Sequence, residues 1–279
     1  SQDDTREDTD AEELCNCEFT LGYGSKVLLH KTRLHLYRGF KYGLLGTNNS
    51  GKSTLMKAMA TRQLESFPQH LRSVYVETDI LGELSHLSLV DYILQDDRLR
   101  ELNLTREVVS ESLTNFGFTE QMLAGGVSTL SGGWRMKLAL SRAMMQHADI
   151  LLMDEPSAHL DVMNVKWLLD YINGLSQVTC IIVSQNAKLL DQCCTHILYI
   201  DNLKLHLSRG NLSEFVKKNP DASSYFNLSS TKYAFKFPQP RFLDGVKSRG
   251  KALMKMSDVT FTYPGNKAPT ITNATVQVS

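Results

Sequence analysis

Short apolar runs alternate along this chain with stretches whose apolar residues recur at helical spacing. Cys17, Phe19 and Leu21 alternate with Glu18 and Thr20, the pattern of a half-buried strand. A turn at Gly22-Tyr23-Gly24 leads to a second expected strand, from Val27 through Leu36. Arg38-Gly39 turns the chain into Tyr42-Gly43-Leu44-Leu45, a short apolar run that ends at Gly46, as a buried strand should. From Ser53 to Thr61 the period changes to that of a helix, with Leu55, Met56, Met59 and Ala60 on one side. The local order is therefore strand, glycine-containing loop, helix.

The alternation continues downstream. Arg72–Val76 predicts a strand, and the charged stretch from about 87 to 128 is mostly helical, broken at Gly125-Gly126. Trp134–His147 predicts a helix behind a Ser-Gly-Gly, Ile150–Met153 a strand ending in Asp154-Glu155, and Met163–Ile172 a helix. Thr179–Val183 is a further strand, and His196–Asp201 with Leu203–Leu207 a closing hairpin. Strands that alternate with helices predict a mostly parallel sheet of the α/β class. Beyond residue 210 a short helix, Leu212–Lys218, precedes an extended linker to about 252. From there the first segment recurs: Val259-Thr-Phe-Thr-Tyr-Pro-Gly265 lines up with Cys17–Gly24 at a one-residue slip. A second copy of the domain is expected to start near 253–256 and to run to the end at 279.

Composition adds limits. Thirty basic and thirty acidic side chains cancel, which gives no sign of a surface built overall for nucleic acid. Acids crowd the start, where Asp3, Asp4, Glu7, Asp8, Asp10, Glu12 and Glu13 face Arg6, so residues 1–13 are expected to form a solvated tail. Five cysteines at irregular spacing predict neither a disulfide framework nor a zinc site. No apolar run approaches the ~20 residues of a membrane-spanning helix, and an acidic start is not a targeting segment, so the cytosol is the expected compartment. Lys217, Lys218, Lys232, Lys236 and Arg241 make a modest basic stretch, expected to be a solvated linker rather than an RNA contact.

Gly46-Thr47-Asn48-Asn49-Ser50-Gly51-Lys52-Ser53, followed by Thr54, fits G-x-x-x-x-G-K-[ST] between an apolar strand and a helix. A polyphosphate carries many charges, and such a turn meets it with successive backbone N–H groups and the positive end of the helix dipole. Lys52 would supply a point charge and Ser53 a hydroxyl ligand for Mg²⁺. Asn49 suits a position that visits positive φ. The strand Ile150–Met153 delivers Asp154, suited to hold Mg²⁺, and Glu155, suited to polarise an attacking water as general base.

With Leu130-Ser131-Gly132-Gly133-Trp134 between these two motifs, the sequence resembles the nucleotide-binding domain of ATP-binding cassette proteins. Within them it is most similar to the soluble twin-cassette translation factors of the F type, in particular the elongation-factor-3 group. Leu130–Ala143, Asp154–Asp161, Asn164–Trp167, Gly210–Lys218 and Lys236–Pro240 carry that narrower likeness. The resemblance implies an ABC nucleotide-binding domain over 14–210, with a mostly parallel core sheet, an antiparallel β subdomain and a helical subdomain at about 85–145. A linker over 211–252 and a truncated second domain over 253–279 follow. It implies ATP and Mg²⁺ as cofactors, a second cassette of the same chain and the ribosome as partners, and ATPase activity. Tyr23 would stack on adenine; Ser131, Gly132 and Gly133 would touch the ATP of the other cassette; Ser157–Asp161 would line the interface.

Three positions depart from the family pattern. Thr78 stands where Gln or His is usual, Gln185 where His is usual, and Ala158 where Asn is usual. Gln185 can donate a hydrogen bond but carries no charge. Losing a positioned donor costs on the order of 10²–10³-fold in rate, so slowed hydrolysis is expected around a retained Glu155. The alternatives are a regulatory clamp that holds ATP without turnover and the motor subunit of a membrane transporter.

Overall fold

The computed structural model describes residues 11–79, 84–222, 254–261 and 271–278. The chain divides into one unit up to residue 232 and another from residue 233.

Alternation builds the first layer. β1 (Glu13–Tyr23) and β2 (Lys26–Tyr37) pair antiparallel. Cys15, Cys17, Phe19 and Leu21 are buried on one face of β1, while Glu18 and Thr20 face outward. The expected tail reaches less far than residue 13. Glu13 opens β1 and meets His35 Nε2 at 2.6 Å, and Glu12 meets Arg38 Nε at 2.6 Å. Arg38 also reaches Asp149 at 3.1 Å, so an acidic residue near the start is drawn in by a specific cation.

Continuous apolar runs build the second layer. Six strands lie in the order β4 (Ser73–Tyr75), β5 (Ile150–Asp154), β6 (Thr179–Val183), β3 (Lys41–Gly46), β7 (His196–Asp201) and β8 (Lys204–Arg209). The pairs from β4 to β7 are parallel; β8 closes the sheet as an antiparallel hairpin on β7. Both faces are covered, which parallel strands require. Ile150, Leu152, Ile181 and Val183 pack with β1, β2 and α1 (Lys52–Ala60). Leu151, Met153, Cys180 and Ile182 pack on the other side, with α6 (Gly132–Met145), α7 (Val162–Gly174), α8 (Ala187–Cys193) and α9 (Leu212–Lys218). Lys41 is buried at the foot of β3, where its ammonium donates to the carbonyls of Gly39, Leu175 and Val178 at 2.5, 2.6 and 3.1 Å. At Gly39, φ is +78° and a Cβ would sit 2.2 Å from the Ser176 carbonyl oxygen, so the turn into β3 requires glycine.

The third part is helical: α2 (Leu89–Leu94), α3 (Asp97–Arg100), α4 (Arg106–Asn115) and α5 (Glu120–Ala124), with one face of α6. Leu89, Ile93, Val109, Leu113, Phe118 and Leu138 form its core. Ser88, Thr105 and Thr119 cap α2, α4 and α5 through their hydroxyls. The core sheet, the antiparallel β layer and the helical part that the family resemblance implies are all present. Helix α9 falls where Leu212–Lys218 was expected. The tail to residue 10 and the linker from 223 to 253, with Lys232, Lys236–Pro240 and Arg241, lie outside the described residues. In the second unit β9 (Met254–Phe261) and β10 (Ile271–Val278) pair antiparallel, Val259 opposite Ala274. Residues 262–265 of the recurring segment lie outside the description.

An ion cluster, buried at Arg142 and Asp96 and open at Arg98 and Glu77, ties the helical part to the sheet. Arg142 of α6 donates to Tyr92 Oη at 3.0 Å and to Glu77, just past β4, at 3.3 Å; its Nε is 3.5 Å from Asp96. Arg98 bridges the same two carboxylates at 3.2 and 3.1 Å. Without Arg142 the single cation Arg98 is left facing both Asp96 and Glu77, and Tyr92 loses its donor. Arg142→Met should therefore lower stability by about 2 kcal/mol in urea unfolding, and Asp96→Asn in the same chain, which removes the excess acid, should recover part of it. A loss of the same size in the double variant would contradict this role.

Candidate active site

The carboxyl ends of parallel strands lie along one sheet edge, and polar residues that follow them meet there. Gly46 ends β3, and the loop it opens runs into α1. Gly51 occupies the N-cap of α1 at φ +104°, and no side chain caps the helix, so its first N–H groups face outward without a side-chain acceptor. A Cβ on Gly46 would lie 2.6 Å from Ser50 Oγ, itself buried without a hydrogen-bond partner, and 3.1 Å from Ile200 Cβ, so a side chain there would force Ser50 to turn away. Asn49 adopts φ +63°, as its residue type suggested. Thr47, Asn48 and Asn49 are exposed at the loop tip. Lys52 Nζ donates to the carbonyls of Gly46 and Thr47 at 2.8 and 2.9 Å. Partial burial pulls its pKa down, while Asp154 and Glu155 push it back up.

The acidic end of β5 comes to the same place. Ser53 Oγ, 101 positions upstream, donates to Asp154 Oδ2 at 2.6 Å. Tyr75 Oη, at the end of β4, donates to the same oxygen at 3.0 Å. Burial and the Asp154 carboxylate raise the phenol's pKa, which keeps it a donor. Glu155 sits at φ +49°, a left-handed conformation rare outside glycine, fixed by its N–H on the Val183 carbonyl at 2.8 Å. Its carboxylate accepts from the Gln185 backbone N–H at 3.1 Å, and the nearby Ser184 hydroxyl helps to hold its pKa down. Gln185 thus meets Glu155 through the main chain, a contact any residue but proline can make at that position. Thr78 is half-buried on the segment after β4.

The hairpin of β1 and β2 walls the loop. Tyr23, Lys26 and Leu28 join Asn49, Gly51, Lys52, Ser53 and Thr54 around a cleft of about 350 Å³. Tyr23 is 76% exposed at its rim, the accessibility a stacking platform needs. A Cβ on Gly51 would be 3.1 Å from Leu28 Cβ, so the loop packs directly on β2.

Ser131, Gly132 and Gly133 lie elsewhere on the unit, at the start of α6. Ser131 is the N-cap, but its hydroxyl makes no capping bond. A Cβ on Gly132 would be 3.0 Å from the His159 carbonyl oxygen, and one on Gly133 would collide with Asn164 at 2.3 Å. The two glycines thus seat the helix start against Ser157–Asp161 and the first turn of α7, where Asp161 caps Asn164 N at 2.8 Å. The helix begins at Gly132 rather than at Trp134. Reading the residues alone missed Tyr75 and Ser184, which lie on or just after sheet strands and whose polar tips only the strand register aims.

The oxygen donors suit a hard divalent cation. Among the described residues no three His, Cys, Asp or Glu side chains cluster as a metal cage. Ser53 and Asp154 fit a cation that draws its remaining ligands from water and phosphate, the usual habit of Mg²⁺.

Burial raises the pKa of Glu155, and the neighbouring Asp154 adds to this, while the Gln185 N–H opposes it. The ionised form is therefore disfavoured in the folded chain. Stability from this group is greatest where the carboxyl is protonated in both states and falls as pH rises through the raised value. Glu155→Gln should melt higher than the wild type at about pH 8, the gap closing toward about pH 4, in nucleotide-free thermal scans. A gap independent of pH would contradict the shift.

Residues 29–158 match the family model described as ABC transporter. The chain is 49% identical over 98% of its length to elongation factor 3 of Eremothecium gossypii and 48% identical over 97% to elongation factor 3 of Phytophthora infestans. Elongation factor 3B of Saccharomyces cerevisiae is 46% identical over 98%. The chain spans 26% of each of these relatives. A nucleotide-free ATP-binding cassette from an ABC transporter superposes with TM-score 0.63 over 76% of this chain and 97% of that one, at 16% identity. An ATP-binding cassette in its ADP conformation gives 0.63 over 77% and 99%, also at 16%.

Proposed function

We propose, starting from the fact that this chain carries an ABC ATPase domain homologous to part of elongation factor 3, that it binds MgATP on the loop Gly46–Thr54 and couples cassette closure to elongation on the ribosome. The observation that carries the reading is the 2.6 Å bond from Ser53 to Asp154, which joins the phosphate loop to the acidic strand end. The loop N–H groups and Lys52 hold the phosphates, and Tyr23 stacks on the base. Ser53 and Asp154 would hold Mg²⁺, which when bound would offset the charge of the phosphates. Glu155 takes a proton from the attacking water as that oxygen bonds to the γ-phosphorus and the bond to the bridging oxygen breaks.

Ser131, Gly132 and Gly133, with Ser157–Asp161 beside them, serve the ATP held by a second cassette. Gln185, bonded to Glu155 through its N–H, and Thr78 lack the charged or longer side chains usual at their positions, and hydrolysis at this site is slowed. Identity of 46–49% to elongation factors supports a translation role and a cytosolic location. The cassettes of transporters agree at 16% and speak to fold alone; no described helix is long and apolar enough to cross a membrane.

The test is MgATP binding and turnover in the complete protein. Lys52→Ala should weaken binding at this site by at least about tenfold, and Glu155→Gln should keep binding while lowering turnover there on the order of 10²–10³-fold. Unchanged binding in Lys52→Ala would contradict the site. Turnover untouched by Glu155→Gln but disrupted by Lys52→Ala would make the cassette an ATP-held clamp, with hydrolysis at the other site.

A further inference from the structure

We propose that Tyr75 is a positioning residue for the metal half of this site, fixing the Asp154 carboxylate so that it is preset for Mg²⁺. The inference rests on the MgATP reading above and adds a residue to it.

Strand register creates the contact. In the parallel pair of β4 and β5, Tyr75 lies opposite Leu152. Side chains alternate across a strand, so Tyr75, Leu152 and Asp154 share one face of the sheet. Asp154 lies two residues further along β5, about 6.6 Å, a span suited to a phenol that leans along the strand. The result is the 3.0 Å bond from Tyr75 Oη to Asp154 Oδ2. The Val76 N–H on the Leu152 carbonyl at 2.9 Å zips the end of β4 to β5 and holds Tyr75 in this register.

The chemistry favours positioning over packing. Asp154 Oδ2 accepts two hydroxyls, from Ser53 at 2.6 Å and Tyr75 at 3.0 Å. The Ser53 hydroxyl has one proton to donate and lone pairs left for a cation, so its bond to Oδ2 is compatible with a metal contact. Tyr75 holds the same oxygen from a second strand, so the carboxylate is fixed from two sides. A neutral donor also leaves the carboxylate its full charge, whereas Lys or Arg in its place would cancel the charge the cation needs. The half-buried ring is held between the sheet and the core of α1, which restricts the phenol to one direction.

Groups that orient a metal ligand without touching the metal typically contribute 10–100-fold in metal affinity. The experiment is binding of a fluorescent ATP analogue to the full chain, titrated with Mg²⁺ and repeated in EDTA, for wild type, Tyr75→Phe and Lys52→Ala. Tyr75→Phe should raise the Mg²⁺ concentration at half-saturation about tenfold and leave the affinity in EDTA unchanged. An unmoved Mg²⁺ midpoint, or equal losses with and without Mg²⁺, would overturn the proposal and leave the phenol a packing group. Lys52→Ala should weaken binding under both conditions. If it weakens neither, the ATP-site reading itself fails, an outcome separate from failure of Tyr75.

Discussion

A parallel register of four strands is the constraint on which the site depends. β4, β5, β6 and β3 end along one edge, and only there can Ser53 and Asp154, 101 positions apart, meet at 2.6 Å. The register is held by burial on both faces: Leu152 and Ile181 pack toward α1, and Leu151 and Ile182 toward α6 and α7. A one-residue slip of β5 would turn Asp154 to the opposite face and break its bonds to both Ser53 and Tyr75. The apolar layers thus act as the jig that sets the polar geometry.

The same jig explains where strain is tolerated. Glu155 and Asn49 have positive φ, and both sit where a strand or loop must turn sharply at the edge. The Glu155 conformation is held by its N–H on Val183, a neighbour supplied by β6, so the sheet stabilises the turn that aims the carboxylate. Because Gln185 reaches Glu155 through its backbone, the departure from histidine changes the side chain near the site without removing the bond that orients the Glu155 carboxylate. The departure at Thr78 has a different setting, one residue after Glu77 in the ion cluster with Arg142 and Arg98.

Elements whose patterns are self-contained are legible in the sequence. β3 and β5 are uninterrupted apolar runs, the loop between Gly46 and Ser53 has fixed spacing, and Asp154-Glu155 follows a buried strand directly. Features that depend on neighbours are not. Helix α8 has only seven residues and no clear period of its own; Asn186 caps it at Leu189 N, and the sheet buries Leu189 and Leu190. Glu12 and Glu13 looked like tail because their partners, Arg38 and His35, stand more than twenty positions away. Tyr75 gave no sign of its role because nothing local to Ser73-Val-Tyr75 says which strand lies beside it.

Hydrogen exchange of the full chain, with and without MgATP, tests the central claim most directly. The account predicts slowed amide exchange concentrated in residues 46–54, with a second protected patch at 153–155. No change at 46–54, with protection appearing elsewhere, would contradict it.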